Sequence, residues 1–116
     1  MKWEKGRQNS GYEKIKLLES QRFKFDVYLL RYRKGASIPP HYDPAPFGFA
    51  HHRLNIVLKR AKDGGNFFTL SHGIHRPHKF MNNRIIFFRP DITSHMVSKV
   101  KRGARYVLSI GWLRKI

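Results

Sequence analysis

Short runs of aromatic and β-branched residues alternate with clusters of glycine, proline and polar residues along most of the chain. The segment RLNIVLK at 53–59 alternates between apolar and polar positions, as expected of a strand with one buried face. The segment RIIFFR at 84–89 is a nearly unbroken apolar run that ends at Pro90, which is typical of a fully buried strand. The whole pattern predicts about six to eight short strands. The predicted strands lie at 23–33, 36–43, 53–59, 66–70, 84–89, 95–100 and 105–113.

The N-terminal region has a different pattern. Ser10 and Glu13 have the spacing of a capping box, in which each side chain bonds the backbone of the other residue. The sequence therefore predicts one short helix over residues 11–19. Its buried positions would be Tyr12, Ile15 and Leu18.

The segments between the predicted strands are rich in glycine and proline. Residues 44–52 and 71–83 are interpreted as loops and residues 60–65 as a turn, while Pro39 and Pro40 place their strand at a sheet edge. The rhythm of strands and turns predicts a mainly β fold, a sandwich or barrel supported by one N-terminal helix. We expect residues 1–116 to form a single domain.

Composition narrows the class of protein. With 41% hydrophobic and 14% aromatic residues, the chain is too apolar to be disordered. The absence of cysteine excludes disulfides, cysteine-based zinc sites and thiol nucleophiles. The polar N-terminus MKWEKGRQNS lacks the apolar run of a signal peptide, and no run reaches the roughly 18 apolar residues of a membrane span. We therefore expect a soluble, cytoplasmic protein.

Net charge is the unusual property. The chain has 24 Lys and Arg against 7 Asp and Glu, a formal charge of +17. Such a balance favours nucleic acid or an acidic protein or peptide as partner. The cations are spread along the chain without a dense block, so a generic basic surface is the alternative interpretation.

Two residues in PPHYDP are candidate metal ligands. His41 and Asp43 lie two apart, so on a strand their side chains leave the same face. The run HGIHRPH at 72–78 also suggests metal binding, but Gly73 and Pro77 argue against the helix that would align its histidines, and a polar loop is favoured. His95 follows a predicted buried strand and precedes Met96 and Val97, which makes it the better third ligand.

Two histidines and one carboxylate form the facial donor set of non-heme Fe(II), with open positions for other ligands. Arg105 lies ten residues beyond His95, after a strand and a turn that direct it back toward the same cavity. A guanidinium binds a carboxylate in a bidentate fork. Iron and an arginine in one cavity suit a dicarboxylate such as 2-oxoglutarate.

These residues resemble the His-x-Asp…His…Arg signature of the Fe(II)/2-oxoglutarate-dependent dioxygenases. YRKGASIPPHYD is similar to the segment that leads into the first ligands in prolyl hydroxylase-like members, and GGNFF is similar to the strand that follows. The resemblance implies a double-stranded β-helix, or jelly roll, with iron bound by His41, Asp43 and His95 and with 2-oxoglutarate bound by Arg105. It also implies O₂-dependent hydroxylation of a substrate with release of succinate and CO₂.

Three further residues are candidates for contacts with the cosubstrate. Tyr32 matches a tyrosine that holds it in several members, although a core aromatic is an equal alternative. Asn55 is polar among apolar neighbours and, if buried, needs a partner: the cosubstrate, a metal-bound water or a neighbouring backbone group. Nucleic-acid demethylases of this family carry Asn and Arg where this chain has Val107 and Gly111, which leaves Ser109 as the remaining candidate on that strand.

Phe47, Phe49, His52 and Arg53 are candidate substrate contacts, because they follow the first ligands. Aromatic stacking combined with arginine–phosphate contacts is a mode of nucleic-acid binding, and a lid that excludes water is the alternative. The charge favours a macromolecular substrate. Two competing functions are a non-catalytic basic β-domain that binds nucleic acid and a cupin-like metal protein that does not use 2-oxoglutarate. Arg105 discriminates against the second, which needs no carboxylate clamp.

Overall fold

A computed structural model describes residues 2–6, 11–77 and 80–116, and it consists mainly of β-strands. The strands are β1 (Glu4–Lys5), β2 (Tyr12–Ser20), β3 (Phe25–Tyr32), β4 (Ile38–His41), β5 (Phe49–Lys59), β6 (Asp63–Gly64), β7 (Phe67–Ser71), β8 (Ile74–Pro77), β9 (Ile85–Phe88), β10 (His95–Val97), β11 (Val100–Arg102) and β12 (Arg105–Lys115). A 3₁₀ turn spans Phe80–Asn83. The prediction of a mainly β protein is confirmed.

The strands form two principal sheets. The six-stranded sheet has the order β1-β2-β3-β12-β5-β9, and the four-stranded sheet has the order β4-β10-β7-β8. A small third sheet pairs β11 with β6. All of these pairings are antiparallel.

The core lies between the two principal sheets, because buried residues of both belong to one cluster. Val57, Ile86 and Val107 come from the larger sheet, and Phe67 and Val97 come from the smaller one. Strand β12 shows how the larger sheet contributes to this core. Every second residue from Arg105 to Gly111 is buried, while the residues between them are only partly buried. One face of the larger sheet therefore closes the core, and its other face keeps partly exposed apolar side chains.

The prediction of an N-terminal helix is wrong. Residues 12–20 form β2, which pairs with β3 from Tyr12↔Tyr32 to Ser20↔Phe25. The register shifts between Lys16 and Leu18, so a bulge interrupts the period of two and produces a spacing that resembles a helix. Ser10, the expected cap, lies outside the described residues, and the described part of the chain contains no α-helix.

Three segments expected to be irregular contain strands. β5 begins at Phe49, inside the predicted loop 44–52, because its first residues pair with the C-terminal end of β12. β8 lies within the predicted loop 71–83 and forms a hairpin with β7, which corresponds to the strand predicted at 66–70; the hairpin turns at His72 and Gly73, which both have positive φ. The predicted turn at 60–65 contains the short strand β6. Within the described residues, no helix is long and apolar enough to cross a membrane.

Candidate metal centre

Two neighbouring strands bring His41, Asp43 and His95 together. His41 ends β4, Asp43 follows two residues later, and His95 begins β10. In the antiparallel pairing of β4 with β10, His95 lies opposite His41, and their ring centroids are 4.1 Å apart. One ligand atom from each of the three residues lies within 4.8 Å of the others.

Backbone bonds orient both imidazoles in the same way. Nδ1 of His41 lies 2.8 Å from the Pro39 carbonyl, and Nδ1 of His95 lies 2.9 Å from the Thr93 carbonyl. A carbonyl only accepts, so each Nδ1 carries a proton, and in the neutral ring Nε2 presents its lone pair. Nε2 of His41 and Nε2 of His95 lie 3.5 and 3.2 Å from the Asp43 carboxylate. Three acceptors that converge in this way suit a cation between them.

Asp43 is held in its ionised form. Burial raises the pKa of its carboxyl group, but hydrogen bonds from His41 and His95 in their protonated forms, and the charge of those forms, outweigh this effect. The pKa therefore stays well below its ordinary value, and Asp43 is available as an anionic ligand. A metal ion bound at the Nε2 atoms would take the place of those protons as the positive partner of the carboxylate. On its other side, His95 packs against Phe67 and Phe88, with ring centroids 5.9 and 4.9 Å away, so apolar rings form that wall of the site.

The three residues line a cavity of about 390 Å³ between the sheets. On the wall formed by the larger sheet, Ser109 donates to Oδ1 of Asn55 at 2.6 Å and accepts from Arg53 at 2.7 Å. Asn55 therefore has a side-chain partner within the wall, whereas the sequence left a cosubstrate, a metal-bound water or a backbone group as the alternatives. Tyr32 also lines this cavity.

Arg105 begins β12 directly opposite Tyr32 in β3, and it is only 2% exposed. Its Cζ lies 4.8 Å from the centre of the Tyr32 ring, and its Nη2 is buried with no hydrogen-bond partner among the described residues. Burial lowers the pKa of the guanidinium, while Tyr32 opposes the shift; arginine nevertheless stays charged in proteins. A buried cation with an unpaired donor favours an anionic ligand.

Tyr32 separates Arg105 from the metal-binding residues. Tyr32 lines the cavity of the three candidate ligands, whereas Arg105 lines a second cavity of about 260 Å³. Burial, only partly offset by Arg105, raises the pKa of Tyr32 to about 12, so its phenol remains protonated. Of the two residues predicted to bind the cosubstrate carboxylate, Tyr32 therefore lies at the cavity wall and Arg105 lies behind it.

No protein-family model matches the sequence, and no curated protein matches it. Solved structures do resemble its fold. A prolyl-4-hydroxylase from Pseudomonas putida has a TM-score of 0.74 at 17% identity, covering 98% of this chain and 78% of that one. A cupin domain from Schizosaccharomyces pombe has a TM-score of 0.66 at 9% identity, covering 98% and 69%. The chain has a cupin-like jelly-roll fold.

A third similar jelly roll is the viral collagen prolyl hydroxylase of Paramecium bursaria Chlorella virus-1, described as a 2-oxoglutarate complex. Its TM-score is 0.61 at 20% identity, with 91% of this chain and 80% of that chain covered. At such identities the comparison shows the fold alone. Hydroxylases and other cupins share it, so the chemistry must be argued from the residues of the site.

The jelly roll separates the four predicted substrate contacts. Arg53 lines the cavity, but His52 lies on the opposite face of the sheet, in contact with the rings of Phe87 and Trp112, because successive strand residues alternate in direction. His52 therefore does not face the cavity of the candidate metal ligands. Phe47 is fully exposed, and neither it nor Phe49, which lies under the Lys24 ammonium, forms part of the cavity wall.

Two cavity residues were missed by the sequence analysis. His51 and Asp26 both line the cavity, and Asp26 accepts from Arg53 at 2.8 Å. His51 lies two positions before Arg53 on β5, so the period of two was a signal that could have found it. In the HGIHRPH run, His75 bonds the Ser94 hydroxyl at 2.9 Å, and His78 lies outside the described residues.

Gly111 makes room for the Arg53 guanidinium. A Cβ atom at position 111 would collide with that group, which Asp26 and Ser109 hold in place. We expect Gly111→Ala to destabilise the protein by about 1–3 kcal/mol, since the arginine must leave its partners. Urea unfolding would measure the change. In an Arg53→Ala background the same glycine substitution should cost much less, and an equal cost in both backgrounds would contradict this packing.

Proposed function

We propose that the protein is an Fe(II)- and 2-oxoglutarate-dependent dioxygenase that hydroxylates a macromolecular substrate. The observation that carries the proposal is the convergence of His41, Asp43 and His95 on one point of a cavity that also contains Tyr32. Behind Tyr32 lies the buried cation of Arg105. Metal ligands and a protected cation in one jelly roll suit a cosubstrate with two carboxylates.

The donor set fits iron. Two neutral imidazoles and one carboxylate leave positions free for other ligands, which is the arrangement of non-heme Fe(II) oxygenases. The bonds to the Pro39 and Thr93 carbonyls hold the imidazoles in the tautomer that binds a metal through Nε2. Bound iron would supply the oxidative chemistry, in which the substrate, 2-oxoglutarate and O₂ are converted to the hydroxylated substrate, succinate and CO₂, one oxygen atom of O₂ entering the substrate and the other entering succinate.

The residues of the chain would bind and orient the cosubstrate. The Tyr32 phenol, protonated below a pKa of about 12, donates a hydrogen bond to a carboxylate, and Arg105 supplies the balancing charge. Ser109 donates a hydrogen bond to Asn55 and accepts one from Arg53, so these side chains maintain the shape of the cavity wall. Phe67 and Phe88 exclude water beside His95.

The structural comparisons support this class of enzyme without deciding it. Two of the similar jelly rolls are prolyl hydroxylases, and one of them is described as a 2-oxoglutarate complex. The formal charge of +17 supports an acidic or polyanionic macromolecule as substrate.

A metal-binding cupin that does not use 2-oxoglutarate is the second candidate. The observation that favours it is the position of Arg105, which lines the second cavity and reaches the first only through Tyr32. This candidate predicts metal binding by the same three ligands but no response to 2-oxoglutarate.

Spectroscopy under anaerobic conditions tests the proposal. The protein mixed with Fe(II) and 2-oxoglutarate should develop a visible metal-to-ligand charge-transfer band. His52→Ala is a matched control, because His52 lies on the opposite face of the sheet and its loss should leave the band unchanged. Iron binding without a band would favour the second candidate. Absence of both, with iron measured directly by metal analysis, would overturn the oxygenase.

A further inference from the structure

Six cations are concentrated at one end of the molecule, which we call the basic end: Lys59, Arg60, Lys62, Lys99, Lys101 and Arg102. They come from the end of β5, the loop after it, the loop before β11 and β11 itself. The pairing of β6 with β11 joins these segments, with Arg102 opposite Asp63. Backbone bonds reinforce the junction, from Lys62 to the Arg102 carbonyl at 2.9 Å and from Gly65 to the Lys99 carbonyl at 3.3 Å.

The charge of the basic end is uncompensated. Five of its six cations are exposed, Arg60 being half-buried, and none forms an ion pair within the described part of the chain. The acidic residues that pair with lysine or arginine do so elsewhere, as Glu13 does with Arg31 and Asp26 with Arg53. Asp63 is the single acid in these segments. The positive potential is therefore concentrated here and available to a polyanion.

A polar cavity opens within this end. It has a volume of about 260 Å³, and Arg60, Lys62, Asp63 and Asn66 are among the residues that line it. Two cations and an amide outweigh the one carboxylate, and together they match the charge and the hydrogen-bonding capacity of a phosphate group. Arg105 also lines this cavity but is assigned above to the cosubstrate, and Arg60 and Lys62 supply two cations without it.

Nucleic acid suits the basic end better than an acidic protein does. A stable protein–protein interface has an apolar centre with a polar rim. Of the apolar residues around the basic end, Val57 and Val100 are buried in the core at 5% and 0% exposure, and Leu58, at 55%, is a lone exposed apolar side chain beside Lys59 rather than an apolar centre. A surface of exposed lysine and arginine without an apolar centre is typical of contacts with a phosphate backbone.

We propose that the basic end binds the phosphate backbone of nucleic acid and that its cavity holds one phosphate group. The site is separate from the candidate metal centre. Lys99 lies four residues beyond His95, which is roughly 13 Å along an extended strand. This binding requires neither iron nor 2-oxoglutarate, so it stands or falls independently of the proposed oxygenase.

Fluorescence anisotropy with a labelled oligonucleotide tests this site. A variant with Lys99→Gln, Lys101→Gln and Arg102→Gln removes three cations of the basic end. The matched control, Arg22→Gln, Lys24→Gln and Lys115→Gln, removes three exposed cations near the opposite end of the larger sheet, where Phe25 pairs with Trp112. The two variants have the same net charge, so a difference between them reports position. Affinity is measured between about 50 and 200 mM salt, where each lost phosphate contact lowers the salt slope by about 0.9 on duplex DNA.

We expect the basic-end variant to lose at least about tenfold in affinity and to lower the slope by about 2–3, while the control stays close to the wild type. Equal losses in both variants would show that net charge alone binds, and would overturn the proposal. Absence of binding by the wild type would also overturn it. So would displacement of the oligonucleotide by polyglutamate at equal charge concentration, because that result identifies an acidic polypeptide surface.

Discussion

Replacing Asp43 with alanine should lower iron affinity and 2-oxoglutarate turnover by more than about 100-fold, since changes to residues behind metal ligands already cost 10–100-fold. Asp43 is the single carboxylate of the candidate centre, and His41 and His95 bring no negative charge to offset that of the metal. Without it, two imidazoles remain, and they hold iron weakly. Metal analysis after dialysis and succinate release would measure the two effects.

The control for this substitution is Asp63→Ala, the same change at an exposed aspartate of β6, outside the metal-binding cavity. It should leave both quantities unchanged. Circular dichroism would verify that each variant is folded, because a loss of iron through unfolding says nothing about ligation. An Asp43→Ala protein that is folded and binds one equivalent of iron would contradict the assignment.

Replacing Arg105 with methionine should abolish stabilisation by 2-oxoglutarate while leaving the ligand-free protein as stable or more stable. A ligand at 100 times its dissociation constant stabilises the folded wild type by about 2.7 kcal/mol. Methionine removes the charge that holds the distal carboxylate. It also removes a buried cation whose Nη2 has no partner among the described residues, and apolar replacement of buried charges is often neutral or stabilising by about 1–4 kcal/mol.

Urea unfolding with and without 2-oxoglutarate, in the presence of metal, separates these two effects. Arg102→Met serves as the control, since Arg102 is an exposed arginine at the end of β11, three residues before Arg105, and should keep the full response to 2-oxoglutarate. Arg105→Lys should retain a weakened response, because lysine keeps the charge but loses the bidentate fork. If Arg105→Met is stabilised by 2-oxoglutarate as strongly as the wild type, the cosubstrate does not use this residue.

The strands predicted from sequence were those whose pattern is local. In β12, buried and partly buried residues alternate along the strand, and the apolar run of β9 is ended by Pro90; both patterns are visible without tertiary contacts. β2 was missed because a bulge between Lys16 and Leu18 changes its period, and the bulge exists only through pairing with β3. The start of β5 at Phe49 was missed for a similar reason, since β12 supplies its partner.

The residues of the candidate site also divide into those that local sequence predicts and those that only the fold brings together. His41 and Asp43 share a short segment, so their spacing alone predicted a common direction. His52 and Arg53 are adjacent in sequence and were predicted to act together, but the alternation of a strand places them on opposite faces. The bonds of Arg53 to Asp26 and Ser109 span 27 and 56 positions, so no local pattern predicts them.

The sequence by itself determined the mainly β class and the basic charge, because both depend on composition or on local pattern, and its resemblance to a known signature led to His41, Asp43, His95 and Arg105 as candidates. Only the tertiary structure decided that Tyr32 stands between Arg105 and the cavity, that Arg53 lies over Gly111, and that six scattered cations meet at one end. The physical reason is strand pairing. Which strands become neighbours, and in which register, depends on contacts between residues far apart in the chain, and a single sequence does not contain that information in any local pattern.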